Sequence, residues 1–218
     1  MSYSVKEIFL SVQGEGAQTG RPSVFVRFSG CNLWSGREKD RSAAICKFCD
    51  TDFVGTDGEG GGSFDTPLAL AENAISYWPR ENGKLIGQPW VICTGGEPLL
   101  QLDAPLIDAL HMAGFKIAIE TNGTIKAPGG IDWLCVSPKA NAKLVQTSGD
   151  EVKLVYPQAE NTPADFENLA FSRFSLQPKM EIGDTKKSAA NRDAAFDFCM
   201  RNPLWQLSLQ THNWLRVR

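Results

Sequence analysis

Three cysteines in one polar stretch of the chain have the residue type and the clustering that metal chemistry requires. Cys31, Cys46 and Cys49 follow the pattern Cys-x14-Cys-x2-Cys. Thiolates are soft ligands that suit zinc or an iron–sulfur cluster. A structural zinc site needs four ligands, and the nearest further candidate, Cys93, lies inside an apolar run that predicts a buried strand. Spacing alone therefore supports zinc and an iron–sulfur cluster with one open coordination position about equally.

A second motif changes this balance. The segment Thr94-Gly95-Gly96-Glu97-Pro98 directly follows the apolar run 90–93. Two glycines after a buried strand let the backbone approach a ligand closely, and the carboxylate can accept a hydrogen bond from an ammonium group. Alone, the motif is also typical of a simple strand-to-helix turn. Together with the cysteine loop, it favours an iron–sulfur cluster that binds a small molecule.

The elements that must position these residues are short apolar strands that alternate with helices. The predicted strands span residues 3–12, 23–28, 90–94, 115–120, 132–137, 152–156, 174–176 and 204–209. The first predicted helix is capped by Thr66, begins at Pro67 and has an apolar stripe of Leu68, Ala71, Ala74, Ile75 and Trp78. The other predicted helices span residues 104–113, 163–169 and 188–200.

This alternation favours an α/β fold with a parallel sheet buried on both faces. A complete eight-fold β/α barrel takes roughly 250 residues, and no helix is predicted between the strands at 132–137 and 152–156. We therefore expect a partial, open β/α barrel with some crossover helices missing. Chemistry in such sheets lies at the carboxyl ends of the strands. The residues predicted there are Arg27, Thr94, Glu120, Ser137 and Gln177.

The chain shows no internal repeat and no linker, so we expect a single domain over residues 1–218 with a cluster-binding loop at about 30–51. Little periodicity is visible between residues 29 and 66, and so long an irregular stretch is more often functional than accidental.

Charge and hydropathy exclude several other classes of protein. The 22 Lys and Arg against 25 Asp and Glu give a net charge of −3, which does not recruit nucleic acid. No run approaches the roughly 18 apolar residues of a membrane span, and no secretory signal is visible. We expect a cytoplasmic protein with reduced cysteines.

The cysteine loop and the glycine turn together resemble the radical S-adenosylmethionine (SAM) superfamily. In that superfamily the first two cysteines are commonly separated by three residues, whereas fourteen separate Cys31 and Cys46. An ordered set of motifs is similar to one family within it, the 7-carboxy-7-deazaguanine synthases. The motifs are Phe9-x2-Val12-Gln13-Gly14-Glu15-Gly16, Gly20-x2-Ser23-Val24-Phe25-Val26-Arg27, Cys49-Asp50-Thr51, Thr94-Gly95-Gly96-Glu97-Pro98, Glu120-Thr121-Asn122-Gly123-Thr124, Ser137-Pro138-Lys139, Gln177-Pro178 and Gln210-Thr211-His212.

The resemblance implies a partial barrel of the radical SAM type and a lyase activity. The implied reaction converts 6-carboxy-5,6,7,8-tetrahydropterin to 7-carboxy-7-deazaguanine with loss of ammonia, on the route to queuosine and other 7-deazapurines. The implied cofactors are a [4Fe–4S] cluster, SAM and Mg²⁺. Because the radical is generated on SAM, no side chain is expected to be the catalyst itself. A flavodoxin-like electron donor and a homodimer are implied as well.

The resemblance also assigns roles to individual residues. The cluster ligands are Cys31, Cys46 and Cys49, and the Mg²⁺ ligand is Thr51. The SAM contacts are Phe48, Cys49, Asp50, Gly96, Ser137, Pro138 and Lys139, with Glu97 and Asn122 as further candidates. The contacts of the pterin substrate are Val12, Gln13, Gly14, Arg27, Thr94, Gln177, Pro178, Lys179 and Met180, and His212 is a candidate beside the substrate carboxylate.

Two alternatives stay open at this point. One is a different radical SAM enzyme, such as a glycyl-radical activase, which acts on a protein. The other is a zinc-stabilised binding module without catalysis. From the residue alone, Arg27 could bind a substrate carboxylate with two hydrogen bonds or form an ordinary surface ion pair.

Overall fold

The computed structural model describes residues 2–217, which form a nine-stranded sheet, a two-stranded hairpin and four α-helices. The strands are β1 (Tyr3–Val12), β2 (Pro22–Phe28), β3 (Gly62–Phe64), β4 (Arg80–Glu81), β5 (Lys84–Leu85), β6 (Trp90–Gly95), β7 (Lys116–Thr121), β8 (Trp133–Val136), β9 (Ser148–Tyr156), β10 (Ala170–Pro178) and β11 (Trp205–Leu207). The helices are α1 (Pro67–Ser76), α2 (Ala104–Met112), α3 (Thr185–Arg201) and α4 (Thr211–Leu215).

The large sheet is mainly parallel. Its strand order is β11-β10-β9-β8-β7-β6-β2-β1-β3. Every neighbouring pair from β2 to β11 is parallel, whereas β1 pairs antiparallel with β2 and β3. Helices α1, α2 and α3 lie in three of the six crossovers, and the other three carry no α-helix within residues 2–217. The predicted α/β sheet with crossover helices missing is confirmed.

The outer face of the sheet packs against α1, α2 and α3 through apolar side chains. Alternate residues of β6 and β7, among them Val91, Cys93, Ile117 and Ile119, are fully buried. They share one apolar cluster with side chains of α1 and α2, and a second cluster joins β9, β10 and β11 to Ala195 of α3. Cys93 therefore belongs to the core, as its apolar surroundings predict.

The inner face is mainly polar and is also buried, since Lys153 is 3% and Gln177 6% exposed, but loops cover it where α-helices cover the outer face. The segment that follows β1 crosses this face, because Glu15 contacts Lys153 of β9 and Gln177 of β10. Helix α4 lies close to the same segment, where the Thr211 amide donates to the Gly14 carbonyl at 2.9 Å. The inner face is therefore shaped by loops and polar side chains, which is the surface that a binding site needs.

Some element boundaries differ from the prediction. The Thr66 hydroxyl accepts a hydrogen bond from the Ala69 amide at 3.1 Å, as expected of the cap. Leu68, however, is 51% exposed, and Leu70 takes its place in the core. The predicted helix at 163–169 is only a 3-10 turn, Pro163–Asp165, because so short a segment gains too few hydrogen bonds to propagate a helix.

No helix among the described residues has the length and apolarity to cross a membrane.

Candidate active site

The three cysteines of the irregular loop share one neighbourhood. Cys46 is buried, and Cys31 and Cys49 are partly buried. Burial raises the pKa of the Cys31 thiol and of the Cys49 thiol, and the Cys46 thiol adds to both increases. Backbone N–H groups of Leu33 and Thr51 donate to the sulfur atoms of Cys31 and Cys49 respectively. Such bonds favour the thiolate form that a metal binds.

The chemistry of this donor set suits an iron–sulfur cluster. Each thiolate binds one iron of such a cluster, and three soft donors in one loop match the predicted [4Fe–4S] cluster with one iron open to a small molecule. Within residues 2–217, no three His, Cys, Asp or Glu side chains stand in the arrangement that holds a single metal ion.

The Gly-Gly-Glu turn after β6 packs directly on the start of the cysteine loop. The Glu97 amide donates to the Gly30 carbonyl at 2.9 Å. A Cβ atom on Gly96 would overlap that carbonyl group and would lie 2.7 Å from Cβ of Cys31. Only glycine fits there, so the glycine motif holds Cys31 in place.

Glu97 itself has a structural role. It is 0% exposed, and its carboxylate accepts hydrogen bonds from the Leu99 amide at 3.0 Å, the Thr121 hydroxyl at 2.7 Å and the Asn122 amide at 2.8 Å. Burial raises the pKa of the Glu97 carboxyl, and these three hydrogen bonds oppose that increase. Glu97 connects the glycine turn to the end of β7 and lies behind the cavity wall described next.

A cavity of about 190 Å³, the cluster-side cavity, lies next to Cys46 and Cys49. Its wall contains most of the residues that the resemblance assigns to SAM, namely Phe48, Cys49, Asp50, Gly96, Asn122, Ser137 and Lys139. Pro138 is not part of that wall. The Lys139 ammonium donates to the carbonyl oxygen of Ser137 at 2.8 Å and to its hydroxyl at 2.6 Å. It also lies 5.9 Å from the centroid of the Phe48 ring, so a cation borders the cavity.

A larger cavity of about 620 Å³, the substrate-side cavity, lies along the inner face beside β1 and β2. Of the residues assigned to the substrate, its wall contains Val12, Gln13, Gly14, Arg27, Thr94 and Met180, and His212 lies there too. Gln177, Pro178 and Lys179 line the cluster-side cavity instead. This volume is in the range of small-molecule sites.

The two cavities adjoin. Both walls contain Asp50, Thr51, Thr94 and Glu120. A molecule in one cavity would therefore contact a molecule in the other at the carboxyl ends of β6 and β7, which is the edge of the sheet where the sequence predicts chemistry.

Arg27 forms an ion pair, but within the cavity wall and not on the outer surface. Its Nε atom donates to a carboxylate oxygen of Glu7 at 2.7 Å, and the two side chains are 19% and 18% exposed. The antiparallel register places the two residues opposite each other on β1 and β2. Glu7 holds one edge of the guanidinium group and orients it along the wall.

An aromatic pair forms a flat part of the same wall. The rings of Phe9 and Phe25 are stacked with centroids 5.2 Å apart and planes 4° apart, and both residues line the substrate-side cavity. A flat apolar surface of this kind suits a planar ring system.

His212 covers the segment that follows β1. A Cβ atom on Gly14 would overlap the imidazole ring of His212, and the Thr211 hydroxyl donates to the Gly14 carbonyl at 3.1 Å. The glycine of the Val12-Gln13-Gly14 motif is therefore required by the close approach of α4, which brings His212 to the substrate-side cavity.

A network of largely buried charges forms part of the cavity walls, with Glu15 and Glu120 in both walls and Lys153 in that of the cluster-side cavity. Lys153, with its side chain 4% exposed, donates to Glu15 at 2.6 Å and to Glu120 at 2.8 Å. The Gln13 amide donates to the other oxygen of Glu120 at 2.9 Å. Burial alone would raise the pKa of Glu15, but Lys153 and a hydrogen bond from Gln210 lower it to about 2. Burial raises the pKa of Glu120, and Lys153 opposes that increase only in part.

Sequence reasoning missed several of these residues. Glu7 and Lys153 belong to no motif, and Phe25 and Glu15 belong to motifs but received no role. One pattern could have found Lys153, because a single lysine between Val152 and Leu154 in an apolar strand must either break the strand or find buried partners.

The comparisons with known proteins agree with this geometry. No family model matches the chain. A 7-carboxy-7-deazaguanine synthase of Bradyrhizobium diazoefficiens is 58% identical over 218 residues, which is 100% of both chains. One from Caulobacter vibrioides is 57% identical over 215 residues and 99% of each chain.

A crystal structure of QueE from Escherichia coli is similar in fold, with a TM-score of 0.68 and 25% identity, and the match covers 97% of this chain and 95% of that one. The predicted partial barrel is confirmed. With more than half of its residues identical to those of full-length relatives, the chain belongs to the 7-carboxy-7-deazaguanine synthase family of enzymes.

Proposed function

We propose that the chain converts 6-carboxy-5,6,7,8-tetrahydropterin to 7-carboxy-7-deazaguanine with loss of ammonia, as a radical SAM lyase of queuosine biosynthesis. The observation that carries the proposal is the pair of adjoining cavities, one bordered by Cys46 and Cys49 and the other by Gln13 and Arg27. A hydrogen-abstraction reaction needs its two reactants in direct contact. The shared wall supports that arrangement.

The cluster-side cavity would hold the cofactors. Cys31, Cys46 and Cys49 would bind a [4Fe–4S] cluster, and Lys139 and Asp50 would bind polar groups of SAM. When bound, the cluster and SAM supply one-electron chemistry that removes a hydrogen atom from the substrate. The residues of the chain orient the reactants and exclude water.

The substrate-side cavity would hold the pterin. The free end of the guanidinium group, formed by its two terminal nitrogens, suits a carboxylate, and Glu7 fixes the orientation of Arg27 by bonding its Nε atom. The stacked pair of Phe9 and Phe25 would support the flat ring system. The side-chain amide of Gln13 is held by Glu120 and by the backbone amide of Glu15, so its orientation in the cavity wall is fixed, and its second N–H would bond the edge of the ring.

Mg²⁺ is part of the proposal, with Thr51 as its ligand. The Thr51 hydroxyl lies 3.5 Å from a carboxylate oxygen of Asp50, and both residues line both cavities. Mg²⁺ prefers such hard oxygen ligands and commonly completes its shell with water and substrate oxygens.

The proposal also includes a flavodoxin-like electron donor and a homodimer. The dimer is supported by the large apolar side chains that α4 exposes, since Trp214 is 89% and Leu215 60% exposed. Light scattering of the purified chain measures the mass, and a monomer at micromolar concentration would refute the dimer.

Anaerobic turnover tests the reaction. The reconstituted wild type with SAM, a reductant and the pterin substrate should release a 7-deazaguanine product while SAM is reused. Cys46→Ala should abolish both the cluster and turnover. The matched control Cys199→Ala, on α3, should retain both.

The same experiment separates the alternatives. A glycyl-radical activase would cleave SAM without forming a deazaguanine from the pterin. A zinc module would be colourless and hold zinc where a cluster protein holds about four irons per chain. Either result would refute the proposed function.

A further inference from the structure

The family resemblance does not explain how the fourteen residues between Cys31 and Cys46, here called the spacer, are ordered. A longer loop loses more entropy when its ends are fixed, and ligands of a cluster must be held in place before it can assemble. The structure therefore has to order this spacer by contacts of its own.

Part of that order comes from a small apolar core that the spacer forms with the segment after Cys49. Trp34 is 8% and Phe53 1% exposed, and their rings meet edge to face with centroids 5.6 Å apart. The amides of Ile45 and Cys46 both donate to the Leu33 carbonyl, at 3.1 and 3.2 Å. The spacer thus folds back on its own beginning just before the second cysteine.

Arg41 connects this core to the turn that carries the second and third cysteines. One terminal nitrogen of its guanidinium group donates to the carbonyl oxygen of Lys47 at 3.1 Å and to that of Cys49 at 3.0 Å. The group also lies over the Trp34 ring, 4.0 Å from the centroid. Its Nε atom donates to the carboxylate of Glu38 at 2.9 and 2.8 Å.

These contacts depend on two properties of arginine, its planar side-chain group and its several N–H donors. The planar group stacks on an aromatic ring while its edge donates to two carbonyl groups, which a lysine cannot do at once. The ion pair with Glu38 adds little, because the Glu38 side chain is 78% exposed. The two carbonyl groups flank Phe48, so the contact fixes the backbone on both sides of it.

We propose that Arg41 is a positioning residue that shapes the turn Cys46–Cys49 for cluster binding, by bonding the Lys47 and Cys49 carbonyls while stacking on Trp34. The proposal rests on the proposed function for the identity of the cluster, but the ordering of the turn is a property of the chain without it. Arg41 acts through the backbone and binds neither the cluster nor SAM.

The test compares three variants of the full-length chain. Arg41→Gln removes the charge and the stacking group, and Arg41→Lys keeps only the charge. Arg37→Gln is the matched control, because Arg37 is an exposed arginine of the same spacer whose side chain makes no ion pair among the described residues.

The first measurement is hydrogen exchange on the protein without cluster. In Arg41→Gln, amides of residues 44–51 should exchange roughly tenfold faster. Hydrogen bonds from a charged donor shift the equilibrium between the closed and the locally open form by about that factor, and exchange takes place from the open form. Arg41→Lys should fall between Arg41→Gln and wild type, and Arg37→Gln should match wild type. Amides of β6 and β7 should be unchanged in all of them.

The second measurement is iron and sulfide content after reconstitution with ferrous iron and sulfide. We expect Arg41→Gln to hold at least about twofold less cluster than wild type, since binding is coupled to ordering of the ligands. Wild-type exchange or a wild-type cluster content in Arg41→Gln would overturn the proposal, as would wild-type behaviour of Arg41→Lys or equal acceleration in β6 and β7. A wild-type chain that takes up no cluster would instead refute the proposed function.

Discussion

The outer face of the sheet buries apolar side chains against α1, α2 and α3, whereas the inner face buries charges. Ile119 and Glu120 are neighbours on β7 and show the contrast within one strand. Ile119 is 0% exposed in the apolar core, and Glu120 accepts a hydrogen bond from Lys153 at 2.8 Å on the other side. Successive side chains of a strand point to opposite faces of the sheet. One face can therefore stabilise the fold while the other face forms the binding site.

The two faces also differ in how they tolerate change. Truncation of an apolar side chain on the outer face leaves a cavity but no unpaired charge. Removal of one member of an ion pair on the inner face leaves the other charge unpaired and largely buried. Substitutions on the inner face should therefore affect both stability and binding, and those on the outer face stability alone.

Lys153→Met should have the largest effect. It leaves the carboxylates of Glu15 and Glu120 without their cation, and breaking a buried pair in this way typically lowers the free energy of unfolding by about 4 kcal/mol. Substrate affinity should fall as well, because Glu120 holds the Gln13 amide. Urea unfolding measures the first effect, and pterin binding by calorimetry the second.

A double variant sharpens this prediction. Glu120→Gln removes one of the uncompensated carboxylates, so Lys153→Met with Glu120→Gln should be more stable than Lys153→Met alone. The exposed lysine of the hairpin supplies the control, Lys84→Met, which should unfold like wild type. Additive losses in the double variant would mean that the two residues do not interact.

Ile119→Ala should have the second-largest effect and a different character. Removing the buried side chain should lower the free energy of unfolding by about 3 kcal/mol, as large-to-small changes in a core do. The KM for the pterin should stay within about twofold of wild type, because the side chain points away from both cavities. Urea unfolding measures the stability, and initial rates measure the KM. A KM that rises together with the loss of stability would contradict the claim that the outer face affects stability alone.

The outer face was largely predictable from the sequence, because apolar periodicity records burial directly. The stretch around Ile117 and Ile119 predicts a buried strand, and Thr66 with Pro67 predicts the start of α1. Prediction failed where tertiary contacts decide. Leu68 and Leu70 are equally apolar, and only the orientation of the helix on the sheet selects Leu70. β9 and β10 begin four residues earlier than predicted, since Ser148 and Ala170 pair with each other.

The candidate site was predictable only where its residues form motifs. The spacing of Cys46 and Cys49 and the two glycines after β6 stand out in the sequence, and the structure brings these segments together. Glu7 and Lys153 could not be assigned, because their roles depend on partners far away in the chain, such as Glu15 for Lys153. The contact that makes Gly14 necessary comes from His212, almost two hundred residues later.

The smallest predicted effect is a dependence of stability on pH that belongs to the inner face. Because the pKa of Glu15 is lowered from 4.5 to about 2, its ionised form stabilises the folded state above pH 4.5, and this contribution is lost as the pH falls toward 2. At about 1.4 kcal/mol per pH unit, roughly 2 kcal/mol should be lost by pH 3. Urea unfolding of the protein without cluster at pH 7, 5, 4 and 3 measures the loss.

A comparison of wild type with Glu15→Gln separates the effect of Glu15 on the free energy of unfolding from the opposite effect of Glu120. The pKa of Glu120 is raised, so its protonation on acidification favours the folded state, and wild type alone would show the two effects combined. Lys153 does not interfere, because its raised pKa matters only in alkaline solution. The stability difference between wild type and Glu15→Gln should therefore shrink by about 2 kcal/mol from pH 7 to pH 3. A constant difference over that range would mean that the Glu15 carboxylate gains nothing from Lys153, and that the inner face tolerates charge by exposure to water instead of by pairing.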